Sequence, residues 1–261
     1  MERANSVQVV AKAASVLDRL AEEQEVSATH LADLVGEPRS TVYRLLASLQ
    51  QVELVEPGAR RGTYRLGLKL LRLGSAVSAR FDERQAALPV MQRIHDASEE
   101  TVFLCIRDGY EAVCIERIDG RWVHSMALPL GGSLPLHVGA APRALLAHEP
   151  RDFWEEYVSR GPLVPFTSRT PTTRAGVVSA LEETLRTGCS VSDGDVVLGM
   201  AAVGAPVHDY RGAVRAALSM SGPRPTILEE NLEASKELIL AGAREISAAL
   251  GFRGEPAAAA G

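Results

Sequence analysis

The chain has 261 residues, of which 46% are hydrophobic and 23% charged, and its net charge is −5. This length predicts two domains. No apolar run reaches the roughly 20 residues of a transmembrane helix, and residues Met1 to Asn5 lack the apolar core of a signal peptide, so we expect a cytoplasmic protein. The three cysteines, Cys105, Cys114 and Cys189, are widely spaced and form no CxxC motif. This pattern argues against a disulfide framework or a metal site, and we expect no cofactor.

The negative net charge is unevenly distributed along the chain. Between Gly36 and Arg72 there are seven basic residues and three acidic ones, a local excess of four positive charges. A basic segment in an otherwise acidic chain is expected where only one part of a protein meets DNA.

Hydrophobic residues at helical spacing predict three helices in the first 50 residues. The first spans about residues 5–22. Ser27 is a suitable N-cap for a short second helix, and Val26 and Leu31 are placed to form a hydrophobic staple. A short turn that contains glycine leads to a third helix over residues 38–50, whose proline suits a first helical turn. Two short helices joined in this way are typical of a helix-turn-helix.

The outer face of the third helix is suited to a DNA major groove. Ser40, Tyr43, Arg44 and Ala47 lie opposite its apolar stripe, without a carboxylate among them. Arginine can pair with guanine, hydroxyl groups can reach phosphates or base edges, and alanine leaves room for a thymine methyl group. An ordinary amphipathic surface helix would have the same spacing, so the neighbouring elements must decide. The predicted DNA contacts on this helix are Arg39, Ser40, Thr41, Tyr43 and Arg44.

Two strand-like segments, residues 53–56 and 63–66, follow the third helix. The turn between them carries Arg60 and Arg61 at its tip. After a helix-turn-helix, this pattern predicts a β-hairpin wing. Arginines at a wing tip are placed to meet phosphates or a minor groove.

The second half of the chain predicts an antiparallel sheet flanked by helices. Asp108-Gly109 and Asp119-Gly120 are hairpin signals, and residues 131–136 and 161–171 are expected to be loops. The predicted strands span residues 101–107, 111–118, 122–128, 196–207 and 213–221, and the predicted helices span residues 82–97, 137–147, 153–159, 172–187 and 228–250.

Residues 7–74 resemble the winged helix of the IclR family of bacterial transcription regulators, and the resemblance continues to about residue 250, over nearly the whole chain. The motifs that carry the resemblance are Leu31-Ala32, Ser40-Thr41-Val42-Tyr43-Arg44-Leu45-Leu46, Leu54-Val55-Glu56, Tyr64-Arg65-Leu66-Gly67, Leu134-Pro135-Leu136-His137, Ala144-Leu145-Leu146-Ala147, Ala205-Pro206-Val207 and Ala216 to Pro223.

The resemblance implies an α+β protein with four parts. These are an N-terminal winged helix-turn-helix DNA-binding domain (residues 1–66), a linker helix (67–80), a C-terminal GAF-like effector-binding domain whose antiparallel sheet is flanked by helices (81–253), and a disordered tail (254–261).

The resemblance also implies a ligand cavity in the second domain. A ligand carboxylate would face two backbone amides at a helix start, where free N–H groups and the helix dipole favour an anion. Ser219 and Ser221 point the same way, since they lie two apart on one strand. A loop with Ser192, Asp193 and Asp195 would close the site. The full implied lining is Met126, Leu134, Ala140, Ala141, Ser192, Asp193, Asp195, Met200, Ala202, Ser219 and Ser221.

The chain departs from the family pattern at three places in this cavity. Pro142-Arg143 replaces a common Gly-Lys, Ala202 replaces a common cysteine, and Asp195 replaces a glutamate. These changes alter the volume and polarity of the cavity, so the ligand of a relative cannot be assumed. The sequence leaves open whether Arg143 points to the ligand or outward.

We therefore expect a ligand-responsive DNA-binding regulator, more specifically a repressor, that responds to a small organic acid, aromatic acids included. It would bind a pseudo-palindromic operator as a homodimer or a dimer of dimers. Two alternatives remain. Cys105, Cys114 or Cys189 could act as a redox sensor. A small-molecule enzyme could use His124, His137, Asp193, Ser219 and Cys105, but no GxSxG, HExxH or Walker motif accompanies these residues.

Overall fold

A computed structural model describes residues 2–78, 82–121 and 128–254. The chain divides into two compact units, Met1–Arg80 and Phe81–Gly261. The first combines helices with a small sheet, and the second is built on a larger sheet. Of the helices described, none is both long enough and apolar enough to span a lipid bilayer.

The first unit is a winged helix-turn-helix, as predicted. Its sheet is antiparallel with the strand order β1-β3-β2. The sequence analysis did not predict the short strand β1, which pairs with the wing through Val26 and Tyr64. In chain order its elements are α1 (Glu2–Glu23), β1 (Val26–Ser27), α2 (Ala28–Val35), α3 (Arg39–Gln51), β2 (Val55–Pro57), β3 (Thr63–Leu66) and α4 (Lys69–Ser78).

The apolar stripes of α1, α2 and α3 meet in one core. Val16, Leu20, Leu31 and Leu46 are almost completely buried there. Burial of a side chain of this size contributes about 1.5–3 kcal/mol. Packing of this core therefore stabilises α2 and α3, which are too short to be stable alone.

Pro38 caps α3 instead of lying in its first turn. Its ψ of 139° is extended, and the helix begins at Arg39. The Pro38 carbonyl accepts hydrogen bonds from the N–H groups of Thr41 (2.9 Å) and Val42 (3.1 Å). The bond from Val42 is the first regular bond of the helix, and the bond from Thr41 satisfies one amide that would otherwise be free at the helix start.

The described residues of the second unit form a six-stranded antiparallel sheet with the order β6-β5-β4-β9-β8-β7. Its elements are α5 (Asp82–Ser98), β4 (Thr101–Asp108), β5 (Glu111–Ile118), β6 (Ser133–Pro135), α6 (Ala140–Ala147), α7 (Arg151–Ser159), α8 (Arg174–Thr187), β7 (Ser190–Asp193), β8 (Met200–His208), β9 (Val214–Pro223), a π-helical segment (Pro225–Glu230) and α9 (Leu232–Ala249). The predicted class, α+β with an antiparallel sheet flanked by helices, is confirmed.

Helices cover both faces of this sheet. Val102 and Leu104 of β4 belong to a core with α5 and α9, whereas Phe103 and Cys105 belong to a core with α6, α7 and α8. Alternation along the strand explains this division, because successive side chains point to opposite faces. The α6 side holds the cavity described below.

Three predicted elements in the second unit were wrong in their bounds. Residues 131–136 are not all loop, because the backbone of Leu134 pairs with Ala112 and makes β6. The helix predicted from residue 137 begins at Ala140, because Gly139 has a φ of 92° and precedes the first helical residue. The predicted final helix is interrupted at Asn231, whose φ of −133° separates the π-helical segment from α9.

The region before β8 also differs from the prediction. The sequence analysis missed β7 and began β8 at residue 196. Residues 194–199 instead form the connection between these strands, closed by a 2.8 Å hydrogen bond from Gly194 N–H to the Met200 carbonyl. The predicted strand at 122–128 lies outside the described residues except for Leu128, and so does the predicted tail beyond Gly254.

Candidate DNA-binding surface and effector cavity

The turn between α2 and α3 depends on a glycine in the left-handed region. Gly36 has a φ of 67°, and its N–H donates to the Ala32 carbonyl. At the other end of α2, Ser27 Oγ accepts a 3.2 Å hydrogen bond from His30 N–H, so the predicted N-cap is confirmed. These two caps fix the length of α2 and hence the direction of the chain that enters α3.

The predicted reading face of α3 is open to solvent. Ser40, Arg44 and Ala47 are exposed, and half of the Tyr43 surface is accessible. Thr41 is half-buried. Neither Arg39 nor Arg44 makes an ion pair with a described residue, so both guanidinium groups are free to meet phosphates or bases.

The wing is tied to the chain between α1 and β1 by Glu25. Its Oε1 accepts hydrogen bonds from Thr63 Oγ1 (2.6 Å) and from the Arg60 N–H (3.0 Å). The bond from Thr63, followed by bonds from the Arg60 and Ala59 amides, lowers the pKa of Glu25 to about 2. The Arg60 guanidinium also lies 3.6 Å from this carboxylate. Arg61 has no such partner among the described residues and is exposed.

A cavity of about 530 Å³, its open mouth included, lies between the sheet and the start of α6. No charged side chain of the described residues lines it. The lining residues are Phe103, Leu128, Leu134, Gly139, Ala140, Ala141, Pro142, Ser192, Val196, Val197, Met200, Ala201, Ala202, Ser219 and Ser221.

Two residues at the start of α6, Ala140 and Ala141, line this cavity. The N–H groups of Ala140 and Ala141 form no hydrogen bond with a described residue, as expected for a first helical turn. The helix lies directly on β8 at Gly204. A methyl group at Gly204 would be 2.9 Å from the Ala140 carbonyl carbon and 2.9 Å from the Ala141 nitrogen. Glycine is therefore what lets α6 approach the sheet at this point.

Two serines on β9 face the same cavity. Ser219 pairs with Gly204 and Ser221 with Ala202 in the register with β8. Ser221 Oγ donates to the Ala201 carbonyl at 3.1 Å, whereas the Ser219 hydroxyl has no hydrogen-bond partner among the described residues. Ser219 is thus a neutral donor that is free to bind a ligand.

The structure places Asp193 and Asp195 outside the cavity wall. Asp193 accepts hydrogen bonds from Arg224 and pairs with Arg169, and the Arg224 bond contributes most to lowering its pKa. Asp195 is buried and pairs with Arg143. Ser192 does line the cavity, but its hydroxyl donates to Asp195. Ser192 and Asp193 also belong to β7 and not to a loop, because β7 pairs with β8.

Most of the other predicted ligand residues come together. Leu134, Ala140, Ala141, Met200 and Ala202 all line the cavity, whereas Met126 lies outside the described residues. The sequence analysis missed several apolar walls. Phe103 could have been found from its alternation with the opposite core, but the walls at Val196 and Val197 fell inside a wrongly predicted strand. The apolar walls that were missed are Phe103, Leu128, Pro142, Val196, Val197 and Ala201.

The cysteines sit where thiols are unreactive. Cys105 lies opposite Cys114 across β4 and β5, and both are buried. Its hydrogen bond with Cys114, together with burial, raises the pKa of Cys105 well above its usual range. Burial also raises the pKa of Cys189. Because the thiolate is the reactive form, these surroundings argue against redox sensing.

The histidine of the proposed catalytic set is occupied elsewhere. His137 Nδ1 lies 2.7 Å from the Tyr157 hydroxyl, and its Nε2 lies 3.2 Å from the Val164 carbonyl. The ring therefore has neither Ser219 nor Asp193 as a partner. His124 lies outside the described residues.

Comparison with known proteins agrees with this architecture. Residues 9–58 match the IclR helix-turn-helix domain, and residues 75–248 match the family described as bacterial transcriptional regulator IclR C-terminal. The repressor AllR of Escherichia coli is 33% identical over 219 residues, which cover 84% of this chain and 81% of AllR. These matches are to transcription regulators and not to enzymes.

Solved structures show the same fold over almost the whole chain. The IclR protein of Thermotoga maritima superposes with a TM-score of 0.78 at 29% identity and covers 94% of this chain and 100% of that one. An IclR homologue of Microbacterium hydrocarbonoxydans, solved in complex with 4-hydroxybenzoate, gives a TM-score of 0.80 at 26% identity, with 93% and 98% covered. The chain therefore belongs to the IclR family of bacterial transcriptional regulators and is a DNA-binding regulator.

Proposed function

We propose that this protein is a repressor that binds a pseudo-palindromic operator and responds to a small carboxylic acid, with aromatic monocarboxylic acids the favoured class. AllR, one of its relatives, is named a repressor, and the homologue cited above was solved with an aromatic acid. The single observation that carries the effector assignment is an uncharged, largely apolar cavity lined by Ala140 and Ala141, whose amides at the start of α6 have no hydrogen-bond partner among the described residues. Because its target is the chromosome, we place the protein in the cytoplasm.

The operator assignment rests on the exposed face of α3 and on the wing. Arg39, Arg44 and Arg61 are exposed and lack ion pairs with described residues, whereas most arginines of the second unit are paired with carboxylates. We assign base reading to Arg44 with Ser40, Thr41 and Tyr43, and phosphate contacts to Arg39, Arg60 and Arg61. Two such modules in a dimer would read two half-sites, which makes the operator a pseudo-palindrome.

A gel shift with DNA from upstream of the protein's own gene tests the operator assignment. Arg44→Ala should weaken specific binding by about 1–3 kcal/mol and relax preference at one position of each half-site. Arg61→Ala should weaken binding to all sequences and reduce the salt slope by about one unit. Arg186→Ala, which removes an exposed arginine paired with Glu183 in the second unit, is the matched control. Unchanged specific binding by Arg44→Ala would show that α3 is not the reading helix.

The effector assignment rests on the balance of donors in the cavity. The Ala140 and Ala141 amides, at the positive end of a helix, and the Ser219 hydroxyl can bind one carboxylate. The remaining walls are apolar, and Ala202 leaves space beside them for a ring. A few polar anchors in an apolar cavity are the usual composition of a small-molecule site.

Calorimetry with acetate, benzoate and 4-hydroxybenzoate tests this assignment. A bound acid at 100 times its dissociation constant should also stabilise the protein by about 2.7 kcal/mol. Ala141→Leu should abolish binding of the acid and leave operator binding in place. Unchanged affinity in that variant would show that the acid binds elsewhere.

We also propose the assembly and the domain limits that the resemblance implies. Residues 1–66 would bind DNA, residues 67–80 would link, and residues 81–253 would bind the effector, in a homodimer or a dimer of dimers. Light scattering tests the assembly: a monomer at micromolar concentration with full operator affinity would contradict it.

A further inference from the structure

A buried ion pair lies behind the amides that open into the cavity. Arg143 and Asp195 are 4% and 3% exposed, and their guanidinium and carboxylate groups are in direct contact. Arg143 also donates to the His137 carbonyl (3.3 Å) and the Val191 carbonyl (2.6 Å). Its side chain is thus buried away from the cavity and not directed outward.

Asp195 accepts hydrogen bonds from the donors that lie next to the free amides. Its Oδ2 accepts a 3.2 Å hydrogen bond from Gly139 N–H, the residue directly before Ala140. Its Oδ1 accepts the Ser192 hydroxyl proton. The carboxylate therefore sits one residue from the proposed anion site, and the Arg143 charge in direct contact with it offsets its repulsion of an incoming acid.

We propose that the Arg143–Asp195 pair determines effector specificity by keeping the cavity free of net charge, so that it accepts a ligand with one carboxylate and an uncharged remainder. This inference rests on the proposed effector class. The helix start and Ser219 offer partial charges sufficient for one carboxylate. A second carboxylate would be buried against apolar walls without a counter-ion, which is unfavourable.

The direction in which the loss of each residue changes acid binding follows from its charge alone. Without Arg143, the buried Asp195 charge would repel an acid at the Ala140 amide. Without the Asp195 charge, Arg143 would attract acids and tolerate a second carboxylate. A neutral replacement of both would restore the original preference, because the net charge behind the amides is again zero.

Calorimetry on the full-length protein at pH 7.5 separates charge from shape with three ligands of one ring size. They are 4-hydroxybenzoate, its uncharged analogue 4-hydroxybenzamide, and the dianion benzene-1,4-dicarboxylate. The wild type should bind 4-hydroxybenzoate at least about tenfold more tightly than either of the others. Arg143→Met should lose about tenfold in affinity for 4-hydroxybenzoate, whereas its affinity for 4-hydroxybenzamide should be unchanged.

The other variants complete the cycle. Asp195→Asn should bind 4-hydroxybenzoate no more weakly than the wild type and should bind the dianion more tightly. The double variant Arg143→Met/Asp195→Asn should return to the wild-type preference. Arg174→Met, which breaks an exposed ion pair with Glu155, is the control for the arginine replacement and should leave the affinity for all three ligands unchanged.

An equal loss of affinity for 4-hydroxybenzoate and for 4-hydroxybenzamide in Arg143→Met would overturn the proposal, because the ion pair would then only maintain the shape of the cavity. Failure of the double variant to restore the preference would overturn it as well. Thermal unfolding of the same four proteins measures the coupling of the pair without ligand, and additive destabilisation by the two single changes would show that the groups are not paired. If the four proteins show this coupling but the wild type binds neither 4-hydroxybenzoate nor benzene-1,4-dicarboxylate, the result would instead contradict the proposed effector class.

Discussion

Gly204 sets how closely the start of α6 approaches the sheet, and Gly204→Ala tests whether that approach matters for effector binding. The added methyl group would lie 2.9 Å from the Ala140 carbonyl carbon, 2.9 Å from the Ala141 nitrogen and 3.0 Å from the Ala140 oxygen. All three atoms are backbone and cannot rotate away. The helix start must therefore retreat by about 0.5 Å to reach ordinary contact at roughly 3.5 Å.

Two effects follow from this displacement. Overpacking of a well-packed site costs about 1–3 kcal/mol of stability, which lowers the melting temperature of a unit of this size by about 2–4 °C for each kcal/mol. The Ala140 and Ala141 amides also move relative to Ser219, so the acid loses part of its hydrogen bonding. Hydrogen bonds to a charged group are worth about 1.5–3 kcal/mol, and we expect affinity to fall by about tenfold or more.

Differential scanning calorimetry and titration with 4-hydroxybenzoate measure the two effects, and a gel shift checks that operator binding persists. Gly74→Ala is the matched control, since a methyl group at Gly74 in α4 would meet nothing within 4 Å; it should leave stability equal or raise it by about 0.5–1 kcal/mol. A Gly204→Ala protein with wild-type melting and wild-type affinity would refute the close contact and its role in the site.

Three further outcomes are expected. Leu46→Ala, at a side chain 1% exposed, should destabilise the first unit by about 2–5 kcal/mol and weaken operator binding, as seen by thermal unfolding and gel shift; unchanged stability would contradict the core packing. Glu25→Ala should speed hydrogen exchange at the Arg60 amide, whereas the exposed Glu23→Ala should not. Burial, followed by the charge of His148, lowers the pKa of His208 from 6.5 to about 4. The free energy of unfolding should therefore fall by up to about 3 kcal/mol as the pH drops from about 6.5 to 4, because the unfolded chain binds a proton that the folded chain does not. In His208→Gln this part of the pH profile should flatten, and an unchanged profile would exclude His208 as its source.

The DNA-binding unit was predicted well because its signals are local. The stripe of Val42, Leu45, Leu46 and Leu49 needs only the 3.6-residue period to predict which face of α3 is buried. The Ser27 cap acts within three residues of chain. The one element missed there, β1, is stabilised by pairing with β3 some 38 residues later, and two residues carry no strand period of their own.

In the second unit the strands of high apolar content were found, and the errors fell on short or irregular segments. β6 has three residues and β7 four, too few for alternation to show. The connection at residues 194–199 contains Val196, Val197 and Leu198, so composition alone favoured a strand. These side chains are apolar because two of them, Val196 and Val197, line a cavity, and hydrophobicity does not distinguish a cavity wall from a strand.

The hydrogen-bonding roles of the polar residues around the cavity could not be predicted from the sequence for a different reason. Ala140 and Ala141 were named in advance only through the family resemblance, because the sequence itself predicted the start of this helix at residue 137. The role of Asp195 could not be predicted, because it depends on a side chain 52 positions away. An acid on a loop beside a ligand site suggests a ligand contact when viewed alone. The structure shows the same acid paired with a buried arginine outside the cavity wall, so the proposed effector contacts are backbone amides and Ser219 and not a formal charge.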